Sequence, residues 1–375
     1  MSGIYIHIPF CKQACFYCDF HFSTSLKKKE EMIASLIKEI ELRKNELGDT
    51  VIGTIYFGGG TPSVLNTEEI RELIHAVYTN FKVVENPEIT LEANPDDLSE
   101  EKIIELSKSP VNRLSIGVQS FFEKDLKLMN RAHNVKEAKD SLAIATRYFD
   151  NISLDLIYGI PDCTNEEWSE NIQTALRFGI PHISSYALIV EPKTALEALI
   201  AKGKIKSVDD VKVQEQFHIL TEELDKVGFI HYELSNFGKE GYFSKNNSSY
   251  WLGKPYLGIG PSAHSFNGKQ RSWNVKNNTK YIKSIQANLL PIERETLSTT
   301  DKYNEYVMTG LRTIWGVSLE KIKINFGEKY LDYIENQSKK HLQEELLHLE
   351  KGILKTKKKG KFLADGIASD LFMLN

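Results

Sequence analysis

Within Ile4-Tyr5-Ile6-His7-Ile8-Pro9-Phe10-Cys11-Lys12-Gln13-Ala14-Cys15-Phe16-Tyr17-Cys18, three of the chain's four cysteines fall at the spacing C-x3-C-x2-C. Three thiolates on a short loop suit three irons of a cubane iron–sulfur cluster, since such clusters are held by cysteine. One iron then stays open, which points to chemistry rather than simple electron storage. A zinc site completed by His7 or His21, or three unrelated core thiols, are the alternatives. Zinc sites usually draw on two ligand pairs, and no second pair is present. The spacing favours the cluster.

Such a loop needs a scaffold, and the pattern that follows supplies one. Ile4 to Ile8 reads as a strand, and Lys27 to Leu47 carries Ile33, Leu36, Ile37 and Ile40 at helical spacing. Thr54 to Phe57 reads as a buried strand stopped by Gly58-Gly59-Gly60-Thr61-Pro62, and Thr67 is the expected N-cap of a helix reaching Phe81. Strands at Glu88–Pro95, Arg113–Gln119, Ile152–Gly159 and Ile183–Val190 alternate with helices at Ser99–Ser107, Asn134–Tyr148 and Glu166–Phe178. Helical connections between short buried strands imply a parallel sheet, with ligands at the strands' C-terminal ends. There lie the cysteine loop, the triple glycine, Glu92, Gln119 and Asp155. The expected fold is α/β: a partial TIM-type barrel of six β/α units over 1–230. A connecting segment covers 231–297, and within it Lys245–Trp273, rich in Gly, Ser, Asn and aromatics, is expected to form loops and a short strand at one end of the barrel. A small, mainly helical C-terminal domain over 298–375 completes the chain. There, helices at Lys302–Leu311, Ser318–Phe326 and Lys339–Lys351, the last closed by Gly352, precede strands at Ile353–Lys355 and Lys361–Ala364 that form a hairpin around Lys357-Lys358-Lys359-Gly360, an order of winged-helix character.

Hydrophobic content of 41% and charged content of 26% describe a globular protein with a sizeable core. The formal net charge of −4 gives no general pull toward nucleic acid or a membrane surface. No apolar run reaches the ~20 residues that span a bilayer, and the start has no signal-peptide pattern. Clustered cysteines point to a reducing cytoplasm. Cys163 reads as a free thiol, and the Lys355–Lys361 run as a solvated hairpin tip.

The ordered motifs carry a resemblance. Cys11-x3-Cys15-x2-Cys18 followed by Gly58-Gly59-Gly60-Thr61-Pro62 resembles the radical S-adenosylmethionine (SAM) superfamily. Leu91-Glu92-Ala93-Asn94-Pro95, Ser115-Ile116-Gly117-Val118-Gln119, Asn130-Arg131-Ala132-His133 and Asp155-Leu156-Ile157-Tyr158-Gly159 are similar to its HemN-like branch. The likeness resumes at Asp365-Gly366-Ile367-Ala368-Ser369-Asp370, so it covers nearly the whole chain. It implies a [4Fe–4S] cluster on Cys11, Cys15 and Cys18 and SAM at the open iron. Gly58, Gly59, Gly60 and Thr61 would then meet the amino end of SAM, and Arg131 its carboxylate. Glu92, Gln119 and Asp155 would hold the ribose and methionyl portions. Tyr17 and Ile157 would lie by the adenine, and Tyr5 belongs to the same cofactor-side motif.

Within this branch, HemN-type coproporphyrinogen III dehydrogenases carry an extra N-terminal segment and a further cysteine two residues after the third ligand. Here three residues precede Ile4, and that position is Phe20. Both departures resemble HemW-type haem chaperones, which bind haem and hand it to membrane haem enzymes of respiration. The resemblance thus implies haem as cargo and a cytoplasmic protein that meets the membrane peripherally. A second copy of the chain, forming a homodimer, is among the expected partners; a nucleic-acid partner is not expected. No catalytic side chain is assigned, and a radical SAM enzyme acting on a tetrapyrrole is the alternative. The haem-associated H-N-x-x-Y-W motif of that type reads Asn246-Asn247-Ser248-Ser249-Tyr250-Trp251, with Asn246 where histidine is expected. Asn246, Tyr250 and Trp251 are therefore the expected haem contacts. His264 and His133 are the nearest candidates for an axial ligand.

Overall fold

The computed structural model describes residues 1–374. Six parallel strands form its centre: β1 (Ser2–Ile8), β2 (Ile52–Gly59), β3 (Val83–Ala93), β4 (Arg113–Gln119), β5 (Ile152–Tyr158) and β6 (His182–Ala187). They lie side by side in chain order, and their connections carry helices. Along them Ile4, Ile6, Ile55, Phe57, Leu91, Leu114, Leu154 and Ile183 alternate with Tyr5, Tyr56, Thr90, Glu92, Ser115, Ser153 and Asp155. Period-two alternation sends one set outward to the helices and the other inward. The register puts Tyr5 opposite Tyr56, Tyr56 opposite Thr90, Glu92 opposite Ser115, and Asp155 opposite Ser184. The partial barrel therefore has a polar lumen beneath its mouth.

The sheet does not close. Among the described residues it runs to twelve strands. β7 (Ile230–Glu233) and β8 (Asn236–Gly238) extend it beyond β6, and β9 (Tyr256–Ile259), β10 (His264–Phe266), β11 (Gln270–Asn274) and β12 (Ile292–Thr296) extend it beyond β1. The stretch 245–273, expected as loops and a short strand, instead holds a helix at Lys245–Trp251 and the strands β9 to β11. Pairing decides this, because β9 lies parallel to β1 across some 250 residues of chain, and local sequence carries no trace of such a partner.

Helix ends follow their capping chemistry. Asn66, not Thr67, is the N-cap at Thr67–Asn80, since its side chain accepts from the Glu69 amide while Glu69 reaches back. The first helix spans Lys29–Leu42, shorter than expected, and buries Met32, Ile33, Leu36 and Ile40.

The C-terminal part packs a second core around Tyr303, Val307, Ile322, Ile334 and Leu354. Its order is Thr299–Leu311, β13 (Val317–Ser318), Leu319–Phe326, Glu328–Gln343, β14 (Leu347–Glu350) and β15 (Ile353–Thr356), with a sheet order β13-β15-β14. That is the order of a winged helix. The third helix ends at Gln343 rather than Lys351, because Glu345 at φ 58° turns the chain into β14. Gly352 lies between β14 and β15 instead of stopping a helix. The expected strand at Lys361–Ala364 is replaced by a 3-10 turn over Lys358–Leu363.

Candidate functional site

β1 delivers the cysteine loop to the sheet's C-terminal edge. The loop is closed at its base, where the Cys11 amide donates to Ser23 O at 3.1 Å and the Ser23 amide to Pro9 O at 2.9 Å. Farther out, the Phe16 amide donates to Met129 O at 3.0 Å and Asn130 Nδ2 to Ala14 O at 2.7 Å. The loop thus stands between its own neck and the turn that ends the helix Glu123–Leu128.

The three thiols are half-buried and face one cavity of about 430 Å³. Thr61 Oγ1 donates to Cys11 Sγ at 3.4 Å, and Arg131 Nη1 to Cys15 Sγ at 3.3 Å. Asn94 joins these two donors, giving Nδ2 to Thr61 Oγ1 at 3.4 Å and accepting from Arg131 Nη2 at 2.6 Å. Burial pushes the Cys11 thiol up to about 11, opposed by the Thr61 hydrogen bond, and raises Cys18 as well. A thiol so placed ionises when a metal compensates the charge. Among the described residues no three His, Cys, Asp or Glu side chains converge on the volume of a single ion. His7 and His21, the zinc alternative's fourth ligands, are both committed: His7 Nε2 to His21 O at 2.9 Å and His21 Nε2 to Asn278 Oδ1 at 2.7 Å. Three thiols around a wide cavity, with donors aimed at two of the sulfurs, fit a cluster far better than a lone zinc ion.

The glycines serve close packing. A Cβ on Gly59, at φ 108°, would lie 2.4 Å from His7 Nδ1, and one on Gly60 2.6 Å from Phe10 O. The Gly60 and Thr61 amides donate to Ile8 O at 2.9 Å and Phe10 O at 2.7 Å, holding the cysteine strand in place. A ligand's ammonium would therefore meet the carbonyl side of this turn.

Glu92 stands one residue before the end of β3, whereas Asp155, expected at a strand end, lies at the middle of β5 and reaches the cavity from inside the lumen. Tyr56 OH donates to Glu92 Oε1 at 2.8 Å, and Ser115 Oγ to Asp155 Oδ1 at 3.3 Å. Burial outweighs these donors and pushes each carboxyl up to about 7. Gln119 ends β4 in the left-handed region, at φ 68°. Arg131 Nη2 also donates to Gly117 O at 2.9 Å, while its Nε is buried without a hydrogen-bond partner.

Tyr17, Gly59, Gly60, Thr61, Glu92, Gln119, Arg131, Asp155 and Ile157 all line the thiol cavity. Gly58 and Tyr5 lie just outside its lining: a Cβ on Gly58 would meet the Tyr5 ring at 2.9 Å, and Tyr5 OH bonds His7 Nδ1 at 3.2 Å. Asn94, Ser115 and Gly117 line it too without having been singled out; Asn94 follows the end of β3, a sufficient signal, whereas Ser115 and Gly117 lie within β4 and face the lumen by alternation.

Asn246, Tyr250 and Trp251 are elsewhere. Glu88 accepts from the Lys245 and Asn246 amides at 3.1 and 3.0 Å, fixing the start of the Lys245–Trp251 helix. Asn246 is 2% exposed and its Oδ1 accepts from Thr54 Oγ1 at 3.1 Å. It lines neither cavity. Tyr250 and Trp251 line a second cleft, beside the first. Of the axial candidates, His133 is buried against Val118 O at 3.0 Å, and burial holds it down at about 3. His264 is exposed on β10 and packs by Trp273. Neither lines either cavity.

A parallel sheet with three thiols on the loop after its first strand, over a turn of three glycines, defines the radical SAM class. The profile described as Radical SAM superfamily matches residues 5–187, and that of the HemN C-terminal domain matches 297–363. The chain is 36% identical over 375 residues to the heme chaperone HemW of Bacillus subtilis, with 98% of each chain covered. It is 33% identical to the heme chaperone HemW of Lactococcus lactis, again over 98% of each. The chain belongs to the HemW family. Coproporphyrinogen III oxidase (HemN) of Escherichia coli, a solved radical SAM enzyme, shares its fold at TM-score 0.86 and 21% identity, covering 99% of this chain and 90% of that one.

Proposed function

We propose that this protein is a haem chaperone that carries a [4Fe–4S] cluster on Cys11, Cys15 and Cys18, binds SAM beside it, and delivers haem to membrane respiratory haem proteins. The observation that carries the reading is the convergence of three thiols, Thr61, Asn94 and Arg131 on one cavity, in a chain of HemW sequence. When bound, the cluster supplies one-electron chemistry and an open coordination position for SAM. The chain's own part is placement. Thr61 and Arg131 stabilise ligand sulfurs by hydrogen bonds, Glu92 and Asp155 accept from hydroxyls, and the glycine turn, packed tightly on the cysteine strand, offers backbone carbonyls to the ligand's amino end. Among the described residues no helix is long and apolar enough to cross a membrane. In this reading the protein meets a membrane enzyme peripherally, from the cytoplasmic side.

Anaerobic reconstitution followed by haem titration tests this. The expected result is a protein that loads iron and sulfide, binds haem, and yields no protoporphyrinogen from coproporphyrinogen III with SAM and a reductant. Formation of protoporphyrinogen would overturn the chaperone reading in favour of a tetrapyrrole-modifying enzyme.

A further inference from the structure

Beside the thiol cavity lies a separate cleft of about 360 Å³, bounded by barrel, Lys245–Trp251 helix and C-terminal part together. Its walls are aromatic: Tyr158, Phe217, Tyr250, Trp251 and Phe362. Phe217 packs against Phe362 with ring centroids 5.4 Å apart and against Tyr158 at 6.4 Å. Two cations stand among these rings. The Arg312 guanidinium lies 5.1 Å over the Trp251 ring and gives Nη1 to Asp365 at 2.7 Å, while its Nε is buried without a partner. Lys361 gives Nζ to His231 O at 2.9 Å and is largely withdrawn from water, which holds its ammonium down at about 8. The lining's carboxylate, Glu233, is itself raised by burial and is bonded by Asn236. Cations in an apolar cleft with unused donors call for an anionic partner. Flat aromatic walls call for a flat apolar body.

We propose that this cleft seats the haem of the chaperone reading, with Arg312 and Lys361 as the anchors of its two propionate carboxylates and the aromatic walls holding the ring. The inference rests on that reading and assigns two anchors outside the Tyr250-Trp251 motif. The cleft shares Tyr186, Ala187 and Ile189 with the thiol cavity. Cargo and cofactor would thus sit one layer of side chains apart, with Tyr186 between them.

The test titrates haem, and haem with both propionates esterified, into full-length reconstituted protein. Wild type is compared with Arg312→Gln and Lys361→Met, with melting curves and iron content as checks on folding. Esterification should weaken binding to wild type roughly ten- to hundredfold, the scale of a charge-assisted hydrogen bond. Each variant should bind free haem similarly more weakly and discriminate less between acid and ester. Wild-type affinity for haem in both variants overturns the cleft while leaving the chaperone reading intact. Equal affinity of wild type for acid and ester does the same without any variant. A wild type that binds no haem removes both.

Discussion

Arg131 Nη1 lies 3.3 Å from the sulfur of Cys15. The same guanidinium bonds Asn94 Oδ1 at 2.6 Å and Gly117 O at 2.9 Å, so one side chain joins the second thiol to the ends of β3 and β4. A planar fork can satisfy such divergent acceptors, and an ammonium cannot do so in the same geometry.

Arg131→Lys keeps the charge and loses the fork. SAM affinity of the reconstituted protein is expected to fall about ten- to hundredfold, with the fold retained. Isothermal titration checks the first and a melting curve the second. An unchanged affinity would remove Arg131 from the cofactor site.

Alanine at Cys11, Cys15 or Cys18 is expected to abolish a stable cluster, whereas wild type should load about four iron and four sulfide per chain. Cys163→Ala is the control. That thiol is 2% exposed in the main core and lies outside the thiol cavity, so its loss should leave iron content unchanged. Equal loading after removal of all three loop thiols would sink the assignment.

Glu92 and Asp155 both stand near 7 when folded, above their unfolded values of about 4. Between those limits the folded state holds the extra protons, so each group's contribution to stability falls as pH rises through the window. Buried His7 and His133, held down at about 4 and about 3, act the opposite way from pH 4 to 6.5. The informative quantity is therefore a difference. Asp155→Asn and Glu92→Gln in cluster-free protein should gain stability relative to wild type between pH 5 and pH 8, read from denaturant melts. A difference that is flat with pH would show that the carboxyls ionise normally.

Asn246→Ala would leave Thr54 Oγ1 buried without its acceptor, at a cost of about 1–3 kcal/mol in unfolding free energy. Asn246→His must fit a larger ring where the amide oxygen already stands 3.2 Å from the position of a Cβ on Gly3. It should lower stability and leave the haem spectrum as in wild type. A new axial-imidazole spectrum would show that the position reaches the iron after all.

The parallel centre was legible because strands such as Arg113–Gln119, buried along their whole length, read as strands without help from their neighbours. Cysteine spacing and strand-end polarity then marked most of the thiol cavity. What stayed hidden depends on distant partners. The pairing of Gly3 with Tyr256 and the seating of Asn246 beneath Thr54 are contacts between residues far apart in the chain, 192 positions in the second case. The Lys339–Lys351 stretch misled for another reason. Its Leu and Glu residues favour helix, yet Lys351 at φ 50° and Gly352 at φ 75° make the tight hairpin turn that pairs β14 with β15. The second cleft was hidden likewise, since Phe217, Trp251 and Arg312 come from three separate elements.

The seal between Cys11 and Ser23 at the base of the cysteine loop has a practical consequence for handling this protein. Damage by air would be confined to a short ring of chain hanging from an intact sheet. If the proposed cluster is carried there, material that lost it during aerobic purification should still be folded, and reloading would require inorganic repair without any refolding step.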